Sequence, residues 1–231
     1  TEVAGRGEQI ARMTELPAII DADTGFGGLL NVHYTVKGYE DAGCAAIQIE
    51  DQESPKKCGH TPDRRVVPIE DMVEKIQVAV EARKDPNFLI IARTDSRTGL
   101  GLNEAIQRGH AFAEVGADVI FVESPETVEE LEKIGRAFDK PTLANMADGG
   151  KTPILPAKLL QDMGFSIAIF PGLGMLVAAA ALESAYRSLL KDGTSANVET
   201  PMIGLSDMHK LMGFEDVWAF ERKWARGQAA E

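Results

Sequence analysis

The chain has 231 residues, 44% hydrophobic and 26% charged, enough to bury one sizeable core. Its net charge of −12 and pI near 4.9 argue against nucleic acid and anionic membrane surfaces as partners. Both require a basic footprint, and no basic run exceeds pairs such as Lys56-Lys57 and Arg64-Arg65.

Residues 1–11 read as a helix already under way, with apolar positions three to four apart. A short apolar strand over 16–20 ends in Asp21-Ala22-Asp23-Thr24-Gly25-Phe26-Gly27-Gly28. A helix around 31–42, a strand over 44–49 and a polar loop from Glu50 to Pro68 follow. The pattern then repeats: helix 69–83, strand 88–92 leading into Arg93-Thr94-Asp95, helix 102–115, strand 118–122 ending in Glu123, and helix 128–138. Strand 141–144 ends in Asn145, a helix covers 156–163, and strand 166–170 meets Pro171-Gly172. An alanine-rich helix then runs to about Lys191, and beyond Gly193 a polar linker leads to short helices near 206–212 and 214–224. Two cysteines make no disulfide framework and fit a reducing compartment. The longest wholly apolar run, 176–182, is too short to cross a bilayer, and no secretory leader opens the chain. The expectation is a cytoplasmic protein, an organellar targeting segment upstream of residue 1 being left open.

Short apolar strands alternating with amphipathic helices predict a parallel sheet with helical crossovers. Strand starts near 17, 45, 88, 118, 141 and 166 approach the roughly 31 residues per unit of an eight-unit barrel. Five of the six strands end in acidic, basic or amide side chains: Asp21/Asp23, Glu50/Asp51, Arg93/Asp95, Glu123 and Asn145. A (β/α)8 barrel draws its site from several strand ends in this way, whereas an open doubly wound sheet gathers its site at one switch point. The expected fold is therefore a (β/α)8 TIM-type barrel showing six βα units, with the first two strands absent at the N-terminus. The expected division is a partial barrel over 1–193 and a C-terminal helical extension over 194–231.

Asp21 and Asp23, two apart at a strand end, direct both carboxylates to one side and repel unless a cation or proton lies between them. With Glu50 they form a hard, all-oxygen donor set suited to Mg²⁺. The alternative is an Asx turn aided by Gly25 and Gly27. The loop Ser54-Pro55-Lys56-Lys57-Cys58-Gly59-His60 places a thiol between cationic neighbours and a glycine, an environment that leaves a thiol reachable. Gly25-Phe26-Gly27-Gly28 lacks the final glycine of a dinucleotide fingerprint, and Gly150-Lys151-Thr152 lacks the first glycine of a P-loop. Cys44 reads as a core residue, and His33, His110 and His209 read as structural or solvated.

Asp21-Ala22-Asp23-Thr24-Gly25, Ile49-Glu50-Asp51-Gln52, Lys56-Lys57-Cys58-Gly59-His60, Ala92-Arg93-Thr94-Asp95 and Ala144-Asn145-Met146 together resemble the isocitrate lyase / phosphoenolpyruvate mutase superfamily, in order, over residues 1–224. The cysteine loop is typical of the carbon–carbon lyase branch. Its context and Gly149-Gly150-Lys151-Thr152-Pro153 resemble the short lyases of 2,3-dimethylmalate lyase, petal-death-protein and methylisocitrate lyase type.

The resemblance implies a (β/α)8 barrel holding Mg²⁺, with Mn²⁺ as a substitute, near Asp21, Asp23 and Glu50. It also implies a mobile loop carrying Cys58 as general acid, catalytic roles for His60, Arg93 and Glu123, and substrate contacts from Lys57, Gly59, Arg93 and Asn145. The reaction implied is cleavage of a 2-hydroxy di- or tricarboxylate to pyruvate and a carboxylate. The base that takes the hydroxyl proton is not identified. Oxaloacetate decarboxylase or acetylhydrolase chemistry on the same scaffold is one alternative, and a catalytically inactive barrel subunit is another. Relatives exchange a C-terminal helix within tetramers, so the amphipathic segment after Gly193 implies a homotetramer.

Overall fold

The computed structural model describes residues 2–59, 61 and 63–225. The strands form a single parallel sheet, in which β1 (Ile19–Asp21), β2 (Ala46–Glu50), β3 (Leu89–Thr94), β4 (Val119–Val122), β5 (Thr142–Asn145) and β6 (Ile167–Ile169) lie in sequence order. The helices α1 (Glu2–Met13), α2 (Leu29–Asp41), α3 (Ile69–Ala82), α4 (Ser96–Leu100), α5 (Leu102–Glu114), α6 (Val128–Ala137) and α7 (Ala157–Met163) separate or precede these strands. Sequential parallel strands joined by helical crossovers give the half-barrel of a (β/α)8-type fold. The chain divides into two compact units, Thr1–Leu173 and Gly174–Glu231.

Side chains alternate across each strand, so its two faces carry different chemistry. One face of β2, β3 and β4 sends Ile47, Ile49, Ile90, Ala92, Ile120 and Val122 into the main core with Met72 and Ile76 of α3 and Phe112 of α5. The other face starts apolar, with Ala46, Ile91, Val119, Phe121 and Leu143 in a second, smaller cluster. Two residues further along the same face come Arg93, Glu123 and Asn145, and on β2 Glu50 follows Gln48, four residues beyond Ala46. One stripe thus passes from hydrocarbon to charge toward the C-terminal strand ends.

The strand boundaries differ from expectation where backbone chemistry matters. β1 begins at Ile19, past Pro17, which lacks an N–H to donate, and it includes Asp21. β3 extends through Arg93 and Thr94, which places Arg93 in register with Glu50 on one side and Phe121 on the other. The short helix α4 was not expected. Gly101, at φ 90°, separates it from α5.

In the second unit α8 (Leu173–Asp192), α9 (Leu205–Leu211) and α10 (Phe214–Trp224) have no buried residues. His209 stacks on Phe214 with ring centroids 4.8 Å apart and meets Trp218 edge-on at 5.7 Å. His110 packs on Phe138 at 4.9 Å, and Cys44 is buried in the main core, matching the structural roles expected of them.

Candidate active site

Asp21 and Asp23 converge through a turn rather than through strand alternation. The Asp23 N–H donates to Asp21 Oδ1 at 2.8 Å, and Asp23 has φ 51°, a left-handed conformation that takes it off the strand. The two readings of this pair are therefore compatible: an Asx turn aims both carboxylates at one cation. That cation is the Lys56 ammonium, which pairs with Asp23 Oδ1 and lies 3.7 Å from both Asp21 Oδ2 and Glu50 Oε1. Gly25 permits the turn. Its φ is 86°, and a Cβ there would lie 2.5 Å from Val32 Cγ2.

Glu50 is fully buried, and neither carboxylate oxygen has a hydrogen bond. Burial pushes its pKa up to about 7; Arg93 and Lys56 oppose that rise, while Asp95 and Asp21 add to it. Its ionic neighbours are Lys56 and Arg93, whose Nε lies 3.4 Å from Oε2. Among the described residues no group of three or more His, Cys, Asp or Glu side chains forms a ready-made metal cage. The donor chemistry nevertheless fits a hard divalent cation: three carboxylates surround an ammonium, and two buried oxygens of Glu50 lack hydrogen bonds.

Arg93 is the hub beside this cluster. It donates to Asp95 from Nε at 2.8 Å and from Nη2 at 3.0 Å, lies 3.5 Å from Glu123 Oε2 and sits 5.0 Å above the Phe121 ring. Burial lowers its pKa, but Glu123, Asp95 and Glu50 more than reverse that and hold it above its ordinary value. Asn145 Nδ2 donates to Glu123 Oε2 at 3.1 Å, which leaves the buried Oδ1 without a hydrogen-bond partner. A paired Nδ2 and an unpaired Oδ1 suit a donor group on a ligand.

The cysteine loop reaches the same place. Gln52 exchanges two hydrogen bonds of 2.9 Å with the backbone of Lys57, and so folds the loop back on itself. Gly59 is buried, and its carbonyl accepts from Ser124 Oγ at 2.8 Å. A Cβ on Gly59 would lie 2.6 Å from Arg93 Nη2 and 3.0 Å from Glu123 Oε1. Cys58 itself is exposed, its carbonyl accepting from Thr61 Oγ1 at 2.7 Å. Lys57 is also exposed and is fixed through its backbone. His60 lies outside the described residues.

Of the expected site residues, Asp21, Asp23, Glu50, Gly59, Arg93, Glu123 and Asn145 are thus linked in one chain of contacts. Four further residues belong to it. Lys56 was visible only as half of a basic pair, and Asp95 only as a strand-end carboxylate. Arg64, which donates to Asp95 Oδ1 at 2.5 Å, was likewise visible only as half of a basic pair, and Ser124, at φ 58°, had no local signal. Lys151 pairs with Glu126 at 3.4 Å, so a phosphate-loop reading of its neighbourhood gains nothing.

A parallel half-barrel with a buried acid–base cluster at its C-terminal strand ends, covered by a cysteine loop, defines the class: a barrel enzyme. Residues 1–190 match the family model described as phosphoenolpyruvate phosphomutase. Over 228 residues the chain is 45% identical to 2,3-dimethylmalate lyase of Eubacterium barkeri, covering 99% of this chain and 79% of that protein. It is 39% identical over 226 residues to 2-methylisocitrate lyase of Halalkalibacterium halodurans, covering 98% and 75%.

Among solved structures, 2,3-dimethylmalate lyase, a member of the PEP mutase/isocitrate lyase superfamily, superposes with TM-score 0.89 at 31% identity, covering 100% of this chain and 78% of that one. Oxaloacetate acetylhydrolase with the inhibitor 3,3-difluorooxalacetate gives 0.90 at 31%, covering 99% and 78%. Phosphonopyruvate hydrolase complexed with oxalate and Mg²⁺ gives 0.83 at 30%, covering 96% and 77%. The chain belongs to the PEP mutase/isocitrate lyase superfamily, and it is an enzyme of the carbon–carbon lyase kind.

Proposed function

We propose that the protein is a Mg²⁺-dependent lyase that cleaves a 2-hydroxy di- or tricarboxylate of the dimethylmalate, alkylmalate or methylisocitrate type into pyruvate and a carboxylate. The observation that carries this reading is the convergence of Asp21, Asp23 and Glu50 on one cation, directly beside the Arg93–Glu123–Asn145 cluster and the cysteine loop. Asp21, Asp23 and Glu50 would hold the Mg²⁺, with Mn²⁺ as a substitute. Bound there, it would supply Lewis-acid polarisation of the substrate's oxygens.

The chain's own residues then account for the other demands of the reaction. A base takes the C2 hydroxyl proton, the oxygen's electron pair forms the C2 carbonyl of pyruvate, and the C2–C3 bond breaks, its pair moving onto C3 and into the adjoining carboxylate. Arg93, kept charged by three carboxylates in a buried setting, offsets that developing charge. Asn145 orients the bound acid, and the Glu123 carboxylate fixes the Asn145 amide. The thiol of Cys58 gives its proton to C3, and Lys57 and Gly59 close the loop over the substrate. His60 assists Arg93 in the same role.

The test is a pyruvate-release assay across a panel of C3-substituted 2-hydroxy diacids, with Mg²⁺ present and after chelation. Turnover is expected with at least one of these acids and is expected to vanish on chelation. A positioned acid contributes about 10²–10⁴ in rate, so Cys58→Ser should lose at least that range while metal binding persists. Wild-type turnover in Cys58→Ser would remove the general-acid role.

Similarity to oxaloacetate acetylhydrolase supports a second reading, hydrolysis of oxaloacetate. Co-products separate the two: oxalate and acetate for hydrolysis, pyruvate with a carboxylate for the lyase. CO₂ with pyruvate would point to decarboxylation. A homotetramer with exchanged C-terminal helices and a cytoplasmic location complete the proposal.

A further inference from the structure

Lys56 holds a position that the proposed reaction leaves unexplained. Its ammonium contacts all three carboxylates assigned to the metal, and its side chain is only 33% exposed, although it belongs to the exposed part of the loop. Three carboxylates gathered this closely repel one another unless a cation stands between them. One of them, Glu50, is fully buried without a hydrogen bond, so its charge depends on ionic neighbours. Lys57 bears the same charge one residue on, yet both its described hydrogen bonds run through its backbone to Gln52. The loop therefore directs one particular lysine into the cluster.

We propose that Lys56 is the resident counter-cation of the metal-free site, competing with the divalent cation for Asp21, Asp23 and Glu50 and leaving them when it binds. The inference rests on the reading that these carboxylates hold the metal. An ammonium and a divalent cation repel at contact distance and cannot both occupy the space between the same oxygens. Binding of one is therefore linked to release of the other, and the linkage is reciprocal. A lysine suits this exchange: it is a compact charge on a flexible four-carbon stem, able to withdraw without unfolding the loop.

Calorimetric titration of the substrate-free protein with MgCl₂, or Mn²⁺ titration followed by electron paramagnetic resonance, tests this directly. Lys56→Ala and Lys56→Gln should bind the metal at least about fivefold more tightly than the wild type. Lys57→Ala should remain within about twofold of the wild type, because it removes an equal charge outside the cluster. Saturating Mg²⁺ should also raise the melting temperature of Lys56→Ala more than that of the wild type. Unchanged or weaker binding in both Lys56 variants would overturn the proposal, as would an equal gain in Lys57→Ala, which would indicate only a diffuse field. A different result strikes the metal reading itself: no binding by the wild type or by Lys56→Ala.

Discussion

Gly59 joins the loop to the acid–base cluster through the absence of a side chain. A methyl group there would meet Arg93 Nη2 at 2.6 Å and the Glu123 carboxylate at 3.0 Å. Arg93 cannot easily yield, because two hydrogen bonds hold it to buried Asp95. The loop must retreat instead, taking Cys58 with it. Gly59→Ala should therefore lower kcat by about 10²-fold, the effect expected of a misplacement near 1 Å, with little change in melting temperature. Full turnover by this variant would show that the Gly59 contact with Arg93 is dispensable. At this scale the sequence disclosed residue types better than their geometry. Cys58, Arg93 and Glu123 were recognisable because a thiol beside cations and charges at strand ends are uncommon uses of such residues. Asp23 was placed by an alternation rule that its φ of 51° breaks. Ser124 stayed hidden because its hydroxyl acts on Gly59, 65 positions away in the chain.

Elements are held together behind the site by a second carboxylate. Asp51, the next residue after Glu50, points to the opposite side of β2 and accepts from Thr94 Oγ1 at 2.7 Å, the Asp95 N–H at 2.8 Å and Arg108 Nη1 at 3.0 Å. Arg108, on α5, also donates to the Val67 carbonyl at 2.9 Å and to Glu104 at 2.9 Å. One buried ion pair therefore ties β2, the end of β3, the far side of the loop and α5. Burial pushes the Asp51 carboxyl above its usual range, against the hydrogen bonds from Asp95 and Thr94 and the charge of Arg108. Removing one partner of such a pair leaves an uncompensated buried charge. Arg108→Ala should thus cost about 3–5 kcal/mol in urea denaturation, and Asp51→Ala with Arg108→Met should recover part of it. A loss below about 1 kcal/mol in Arg108→Ala would mean that the pair does not carry this junction. Most of the elements were legible from hydrophobic period, since strands of four to six apolar residues between amphipathic helices admit few alternatives. The pairing of Asp51 with Arg108 was not legible, because 57 residues separate them and only the closed fold brings them together.

On the scale of the whole molecule, the second unit exposes large apolar side chains. Met175, Tyr186 and Leu190 of α8 are 70%, 65% and 87% exposed, and Phe220 and Trp224 of α10 are 65% and 62% exposed. The absence of a long apolar run does not describe α8 fully, because its 20 residues are long and apolar enough, by length and composition alone, to cross a membrane. Yet Glu183 lies at its middle and pairs with Arg187 one turn on. A charged residue at the centre of a spanning helix costs on the order of 2.5–3.5 kcal/mol, so a protein surface suits this helix better than lipid. Large exposed apolar patches mark association sites, and homo-oligomers are the commonest outcome. The proposed homotetramer should give a mass near 100 kDa by light scattering on the whole chain, four copies of the 25.0 kDa chain. Phe220→Glu combined with Trp224→Glu should shift it to a smaller species by placing carboxylates where apolar contacts are required. A wild-type mass of one chain at micromolar concentration would sink the tetramer. A wild-type protein that pellets with lipid vesicles would instead assign α8 to a membrane surface.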